Sequence, residues 1–461
     1  MRWGVDLLAW IAPIAWLHAL RLACELEPRR RRPALAAWSA TWILSWIAVV
    51  ATLVTAPIPA AVALGFGIPI ALLHSLPYLG WACLQIAGRE GPVSPWWFAS
   101  AAVVTEWIGY DLTELGTWGA MANAATSDLP LLQIAALAGP TAIGFVVHAL
   151  AAASERHLFG RAASGRTLAV AAGLFVAAHA YGGVRLAALD AAETPLVQVA
   201  AVATDSDIGG WPLPDPAEVE QWNQALFART RAAAEAGAEL VVWTEGATLV
   251  LPEHEPAWLE RLAELARSEG ITLVAAYVVP LAATPPRYEN ALVLLTPTGE
   301  LAQRYLKHHP VPGEPAVAGT EPIAAWTSPS LGRVAGAICY DYDFPRLARA
   351  HAEVGADLVA LPSSDWRGID PIHTHMARLR AIENGASLIR STRWGMSAGI
   401  DAGGRVRGWH SAFEPGAELL LVALPRHRRA TLYAWAGEWF VVLCGAFVLI
   451  VVGGSLLGRR R

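Results

Sequence analysis

The apolar residues of this chain are distributed too unevenly for one aqueous globule. Long apolar runs fill residues 1–190, an ordinarily charged stretch occupies 195–430, and a last apolar run covers 432–457. A run of about 20 mostly apolar residues spans a bilayer as a helix, which satisfies its own backbone polar groups. On this reading residues 3–23, 34–56, 58–87, 95–112, 129–153 and 167–189 are six spanning helices, and 433–457 is a seventh. The third run contains Pro59, Pro69 and Pro77, which mark a kinked, tilted or re-entrant segment. The first run lacks the basic flank and small-residue cleavage site of a signal peptide. The expected organisation is a transmembrane bundle of about six helices over 1–192, a soluble α/β domain over 195–430, and a C-terminal transmembrane helix over 432–457. Only 16% of the chain is charged, against about 25% in soluble domains. The net charge of −5 gives no electrostatic basis for nucleic-acid binding.

Arginine placement orients the bundle. Arg29 to Arg32 follow the first run, Arg89 the third, and Arg459 to Arg461 the last, while Arg156, Arg161 and Arg166 lie between the fifth and sixth. The opposite loops, around Pro57 and over 113–128, contain no Lys or Arg. The positive-inside rule puts the basic loops in the cytoplasm. The soluble domain then faces the periplasm or cell exterior of a bacterium, on its cytoplasmic (inner) membrane. An eighth span would reverse that parity. Glu106 and Asp111, beside Trp107 and Tyr110, read as interface markers at the end of the fourth run.

Within the soluble stretch, strands are expected at 197–203, 240–243, 272–278, 291–295, 301–305, 334–338, 358–361, 387–391 and 396–400. Helices are expected at 216–236, 256–268, 344–354 and 376–382. Strands alternating with helices, with hairpins interposed, indicate a layered α/β sandwich. Of the four cysteines, Cys24, Cys83 and Cys444 lie in or beside apolar runs, and Cys339 alone lies in the soluble stretch. It has no disulfide partner there and is a candidate nucleophile. Cys339 ends a strand, as do Glu245, in Trp243-Thr-Glu245, and Lys307, in Tyr305-Leu-Lys307. Ligand sites of α/β sheets gather at the carboxyl ends of strands. There a carboxylate takes a thiol proton, and a lysine stabilises a thiolate or a developing oxyanion. Singly, each residue also reads as structure: a buried core Cys, and a solvated Glu and Lys.

Glu, Lys and Cys in this order resemble the nitrilase (carbon–nitrogen hydrolase) superfamily. With membrane spans before the domain and one after, the chain resembles the apolipoprotein N-acyltransferase family within it. The matching stretches are Trp243-Thr-Glu245, Tyr305-Leu-Lys307-His-His-Pro-Val-Pro-Gly-Glu314, Ile338-Cys339-Tyr340, Ser364-Asp365-Trp366, Met376-Ala-Arg-Leu-Arg-Ala-Ile-Glu-Asn-Gly385 and Arg393-Trp-Gly-Met-Ser-Ala-Gly-Ile-Asp401. The resemblance implies an α-β-β-α sandwich and assigns Glu245 as general base, Cys339 as nucleophile and Lys307 as oxyanion stabiliser. It places Glu314, Tyr340, Asp341 and Trp366 as supporting or substrate-binding residues. It implies no cofactor and no metal. The implied reaction takes an acyl chain from a phospholipid as a Cys339 thioester and passes it to the α-amino group of a diacylglyceryl-cysteine lipoprotein. The sequence departs from the family at Thr244, where Pro is usual, and at Asp341, where Glu is usual. The loop after Lys307 is one residue shorter, which implies a displaced Glu314.

Other readings compete. Gly395-Met-Ser397-Ala-Gly399 matches the G-x-S-x-G pattern, which needs a strand before the Ser and a helix after it; here the Ser lies inside a strand. His308, His309, His373 and His375 lack the companions of a metal motif and read as structural. A water acceptor would make the protein a membrane-bound amidase or hydrolase, another amine acceptor a divergent acyltransferase, and loss of chemistry a scaffold. The segments 253–258 and 366–371 are expected as lids, with Trp258 and Trp366 dipping into the membrane interface.

Overall fold

The computed structural model describes residues 7–56, 58–160, 165–192, 194–204, 206, 208, 212–416 and 418–457. Trp3 in the first run, Pro57, Arg161, Asp205 and Arg459 to Arg461 lie outside the described residues. The chain divides into two compact units, Met1–Ala191 with Trp435–Arg461, and Ala192–Ala434.

The first unit is helical: α1 (Leu7–Glu25), α2 (Pro28–Leu53), α3 (Val62–Ile86), α4 (Ser94–Leu112), short turns α5 (Leu129–Leu132) and α6 (Ala135–Ala138), α7 (Thr141–Phe159) and α8 (Gly165–Ala191). Pro69 and Pro77 sit inside one continuous α3, which begins after Pro59. The run 129–153 is not one straight span: α5 and α6 together meet α7 at 118°. Gly139 turns there with φ 74°, and Pro140 follows it. Among the described residues, α2, α3 and α8 are each long and apolar enough to cross a membrane, and a fourth span results if the bent pair is counted as one. Of the seven runs read from sequence, those that hold α1 and α4 are less apolar over their described residues. Both α1 and α4 carry buried polar groups that lower their hydropathy. Arg21 of α1 bonds both carboxylate oxygens of Glu155, at 2.6 and 2.7 Å, and both of Glu90, at 2.6 and 2.8 Å. Glu106 of α4 is likewise buried. Residues 432–457 are also divided, into α13 (Leu432–Ala436) and α14 (Trp439–Leu457), because Gly437 takes φ 59°. The helix α14 is apolar over its 19 residues, from Trp439 to Leu457.

The second unit has two six-stranded sheets. The strands are β1 (Leu196–Val202), β2 (Leu240–Trp243), β3 (Thr272–Ala283), β4 (Pro286–Leu295), β5 (Leu301–Leu306), β6 (Trp326–Ser328), β7 (Gly332–Gly336), β8 (Leu358–Ser364), β9 (Ser387–Arg393), β10 (Met396–Ile400), β11 (Val406–Ser411) and β12 (Leu419–Pro425). The helices are α9 (Pro216–Glu235), α10 (Glu255–Glu269), α11 (Pro345–Glu353) and α12 (Ile372–Asn384). One sheet runs β12-β1-β2-β3-β4-β5, the other β11-β10-β9-β8-β7-β6. In each sheet three consecutive strands are parallel: β1, β2 and β3, and β7, β8 and β9.

The two-residue period of a strand explains the layering. In β2, Leu240 and Val242 join the core between the sheets, with Val334, Ile338 and Leu388 of the facing sheet. Val241 and Trp243 point the other way, into a core shared with Leu226 of α9 and Leu262 of α10. Burying a side chain of this size removes about 1.5–3 kcal/mol of apolar exposure. Ala348 of α11 and Ala377 and Ala381 of α12 pack with the second sheet. The result is an α-β-β-α sandwich. Parallel strands align the carboxyl ends within each sheet, and the Glu245 N–H donates to the Ser363 carbonyl at 3.3 Å, joining the two sheets at one rim.

Candidate active site

Four strand ends build that rim. Beyond β2, Thr244 leads to the buried Glu245 and then to Gly246, which turns with φ 54°. Immediately after β5, Lys307 turns inward and is 2% exposed. Its Nζ donates to Glu245 Oε1 at 2.9 Å and to Glu314 Oε2 at 2.8 Å. Asn290, on β4 beside it, donates from Nδ2 to the same Glu245 oxygen at 2.8 Å and to Glu314 Oε1 at 3.2 Å. Burial disfavours the Lys307 cation, yet the two carboxylates reverse this and hold its pKa well above the usual lysine value. Among the described residues, no hydrogen bond falls on Glu245 Oε2. One carboxylate oxygen thus anchors Lys307 and Asn290, and the other has lone pairs left for a proton.

Glu314 is placed differently. Its Oε2 also accepts the Val311 N–H at 2.8 Å, and its Oε1 the Tyr288 hydroxyl at 3.0 Å. Burial pushes its carboxyl up, but Lys307, the Val311 N–H and the Asn290 amide bring it below the usual range. A carboxylate so fully engaged orients Lys307. The shorter loop does not displace it, because Gly313, at φ 93°, lets the chain turn back within Val311-Pro-Gly-Glu314.

Cys339 opens a single 3-10 turn, Cys339–Asp343, after β7. Its φ of 48° is left-handed, a conformation that costs a non-glycine residue about 1–2 kcal/mol. The turn aims Sγ at the rim, where it lies 3.5 Å from the Ser364 carbonyl oxygen. Burial, and next the Glu245 carboxylate, push the thiol pKa well above its usual value, while Lys307 and Arg390 pull it down. The resting sulfur is therefore protonated and needs a base. Tyr340 packs edge-on to Phe344. Asp341 is fully buried and binds the framework: Oδ2 accepts the Tyr305 hydroxyl at 2.7 Å and the Ile338 N–H at 3.0 Å, and Oδ1 accepts the His309 N–H at 2.8 Å. It ties the cysteine turn to the Lys307 loop. Burial raises its pKa to about 6, against those three donors.

Trp366 begins the turn after β8, its carbonyl accepting the Ile369 and Asp370 N–H groups, and is partly exposed. Trp258 is not in a lid. It is buried on α10 against Trp243 and Phe227, because the amphipathic face of α10 turns it toward the sheet. Ser397 is buried within β10 and its hydroxyl pairs with the backbone of Thr392. His308 bonds two backbone carbonyls, those of Leu306 and Glu321.

Asn290, Asp343 and Arg390 were not marked by the sequence, while Asp365, seen only within a matching stretch, and His373, read as structural, join Asp343 and Arg390 in a cluster behind the sulfur. Single ligand atoms of Cys339, Asp365 and His373 lie within 4.8 Å of one another, a spacing that would suit a metal. The donor set does not suit one: Arg390 donates to both oxygens of Asp365, at 2.8 and 3.0 Å, so a second cation would sit against a guanidinium. A signal for Asp365 was present, since it follows β8 as Glu245 follows β2. Asn290 was visible only as a polar residue inside an apolar strand.

Residues 196–433 match the carbon–nitrogen hydrolase family. The chain belongs to that family. Residues 1–153 match the apolipoprotein N-acyltransferase N-terminal domain. The apolipoprotein N-acyltransferase of Geobacter metallireducens is 27% identical over 496 residues, covering 98% of this chain and 92% of its own. That of Caulobacter vibrioides is 29% identical over 417 residues, covering 80% and 74%. A crystal structure of an amidase from Nesterenkonia sp. shares 24% identity over 50% of this chain and 91% of its own, with a TM-score of 0.40. The two family matches in tandem place this carbon–nitrogen hydrolase among the apolipoprotein N-acyltransferases, as an acyltransferase and a bacterial membrane protein.

Proposed function

We propose that the chain transfers an acyl chain from a phospholipid, through a thioester on Cys339, to the α-amino group of a diacylglyceryl-cysteine lipoprotein, with the α/β domain on the outer face of the cytoplasmic membrane. The observation that carries this reading is the division of labour on Glu245. Oε1 is fixed by Lys307 and Asn290, and Oε2 is left to accept the proton of a thiol that burial keeps protonated.

As the sulfur attacks the ester carbonyl, a C–S bond forms and the thiol proton passes to Glu245. The tetrahedral oxyanion is stabilised by the Lys307 ammonium. Collapse breaks the ester C–O bond, and the lysophospholipid leaves as an alcohol with the proton from Glu245. The acceptor amine then attacks the thioester and gives its proton to Glu245. The C–S bond breaks, the amide leaves, and the thiolate recovers the proton. Glu314 and Asn290 hold Lys307 and Glu245 in register throughout. An amine acceptor separates this reaction from that of an amidase-like hydrolase, in which water would take the acyl group.

The test is the intact mass of the detergent-purified protein after incubation with phospholipid, beside Cys339→Ala. A hydroxylamine-labile acyl increment on the wild type alone, discharged by a diacylated amino-terminal cysteine peptide, is the expected result. No increment in a folded sample offered several phospholipids would overturn acyl transfer from lipid and favour the hydrolase.

A further inference from the structure

Behind Cys339 lies a group of charges that this scheme does not use. His373 of α12 has its Nδ1 2.7 Å from Asp365 Oδ1 and its Nε2 3.1 Å from Asp343 Oδ1. Arg390 of β9 donates to both Asp365 oxygens, and its Nη2 lies 2.9 Å from His373 Nδ1. All four side chains are buried, none more than 4% exposed. They come from the cysteine turn, the end of β8, α12 and β9. One ligand atom each of His373 and Asp365 lies within 4.8 Å of Cys339 Sγ.

An ionised carboxylate only accepts hydrogen bonds, so Nε2 donates to Asp343; at Nδ1 the Arg390 N–H at 2.9 Å competes with the Asp365 carboxylate at 2.7 Å, and the shorter contact favours an Nδ1 that donates to Asp365, which leaves the ring charged. Burial works against that charge, but Asp343 and Asp365 outweigh it and bring the His373 pKa up to about 9. Two cations, His373 and Arg390, then balance two anions. The charged groups facing His373 include Asp343, Asp365 and Arg390; those facing Cys339 include Glu245, Lys307, Asp365 and Arg390, with His373 itself within 4.8 Å.

We propose that His373 is a positioning residue for the nucleophile: as an imidazolium clamped between Asp343 and Asp365, it neutralises the acidic pair beside Cys339 and ties the cysteine turn to the end of β8. The proposal rests on Cys339 being the nucleophile. Without the imidazolium, the four-residue cluster has a net charge of −1 facing a sulfur whose ionised form burial and Glu245 already disfavour. Each unit of upward shift in the thiol pKa removes tenfold of the thiolate at neutral pH.

The experiment is the rate of Cys339 alkylation by iodoacetamide across pH, read by mass spectrometry of the Cys339 peptide from the full chain in detergent. It requires no acyl donor, so it stands or falls separately from the acyl-transfer reading. His373→Gln moves the midpoint up by one pH unit or more, slowing alkylation about tenfold at neutral pH. The double variant His373→Gln with Asp343→Asn restores the charge balance and returns the midpoint at least half-way to wild type. Where His373→Gln does not fold, Asp343→Asn serves alone: removing one anion lowers the midpoint or leaves it in place. An unmoved midpoint in His373→Gln, no recovery in the double variant, or a rise of one unit in Asp343→Asn overturns the proposal.

Discussion

Replacing Lys307 with Met removes a cation that two buried carboxylates share. Lys307 Nζ is 2.9 Å from Glu245 and 2.8 Å from Glu314. At an effective dielectric of about 20, each contact carries roughly 6 kcal/mol of Coulomb attraction. Most of that offsets the desolvation of three charged groups, so the net loss is the cost of orphaning buried charges, about 3–5 kcal/mol. For a unit of this size, 1 kcal/mol moves Tm by about 2–4 °C, so the expected fall is roughly 6–20 °C. The assay is thermal unfolding of the full chain in detergent, followed through the transition of the α/β unit. Adding Glu245→Gln neutralises one orphan and is expected to restore about half of the loss. The deficit shrinks as pH falls. In the variant, the orphaned Glu314 carboxylate, which burial pushes up once Lys307 is gone, takes up a proton. In the wild type, Glu314 has a depressed pKa; its contribution is present above the unfolded carboxylate value and is lost only as pH falls through the lower folded one. Lys307, with its raised pKa, contributes fully below the unfolded lysine value and loses that contribution only as pH rises through its folded one. A deficit under about 1 kcal/mol, no rescue by Glu245→Gln, or a deficit that grows toward acid would refute this account.

Three further outcomes follow from local geometry. Both Cys339→Ala and Cys339→Gly abolish acyl capture, but the glycine variant unfolds at the higher temperature, by about 1 kcal/mol, because it relieves the left-handed strain. Asp341→Asn leaves at least one of its three buried donors unpaired and costs about 1–3 kcal/mol by denaturation. Because the folded Asp341 pKa is raised to about 6, its contribution is largest in acid, and the deficit narrows as pH rises through that value. Gly385→Ala destabilises by at least about 2 kcal/mol in the same assay, since φ is 66° and an added Cβ would meet the Arg429 carbonyl oxygen.

The layered domain was legible because its strands are short apolar runs between turn residues, and Glu245, Lys307 and Cys339 were legible because each lies within three residues of the end of one. The structure supplies the relations between such points. His373, Asp343 and Arg390 are brought together from positions up to 47 residues apart by a turn, a helix and a strand, and nothing in local sequence marks their pairing. Trp258, two residues after Pro256, falls where the expected lid (253–258) overlaps the expected helix (256–268), and the helical period turns it into the core. Gly139-Pro140 interrupts an apolar run that hydropathy alone treats as continuous. The strands β11 and β12 were not anticipated; Leu419–Pro425 is an apolar run without clear alternation, beside a longer apolar segment.

That last strand sets an order of assembly. β12 is an edge of its sheet and pairs antiparallel with β1, Leu196 opposite Pro425. The first strand of the domain to be synthesised therefore waits for the last. Until residues 419–425 emerge, β1 presents an open row of backbone groups to any passing strand. A chain arrested just short of Leu419 would hold every residue of the candidate site and still be prone to aggregate, so quality control of this domain falls at its very end.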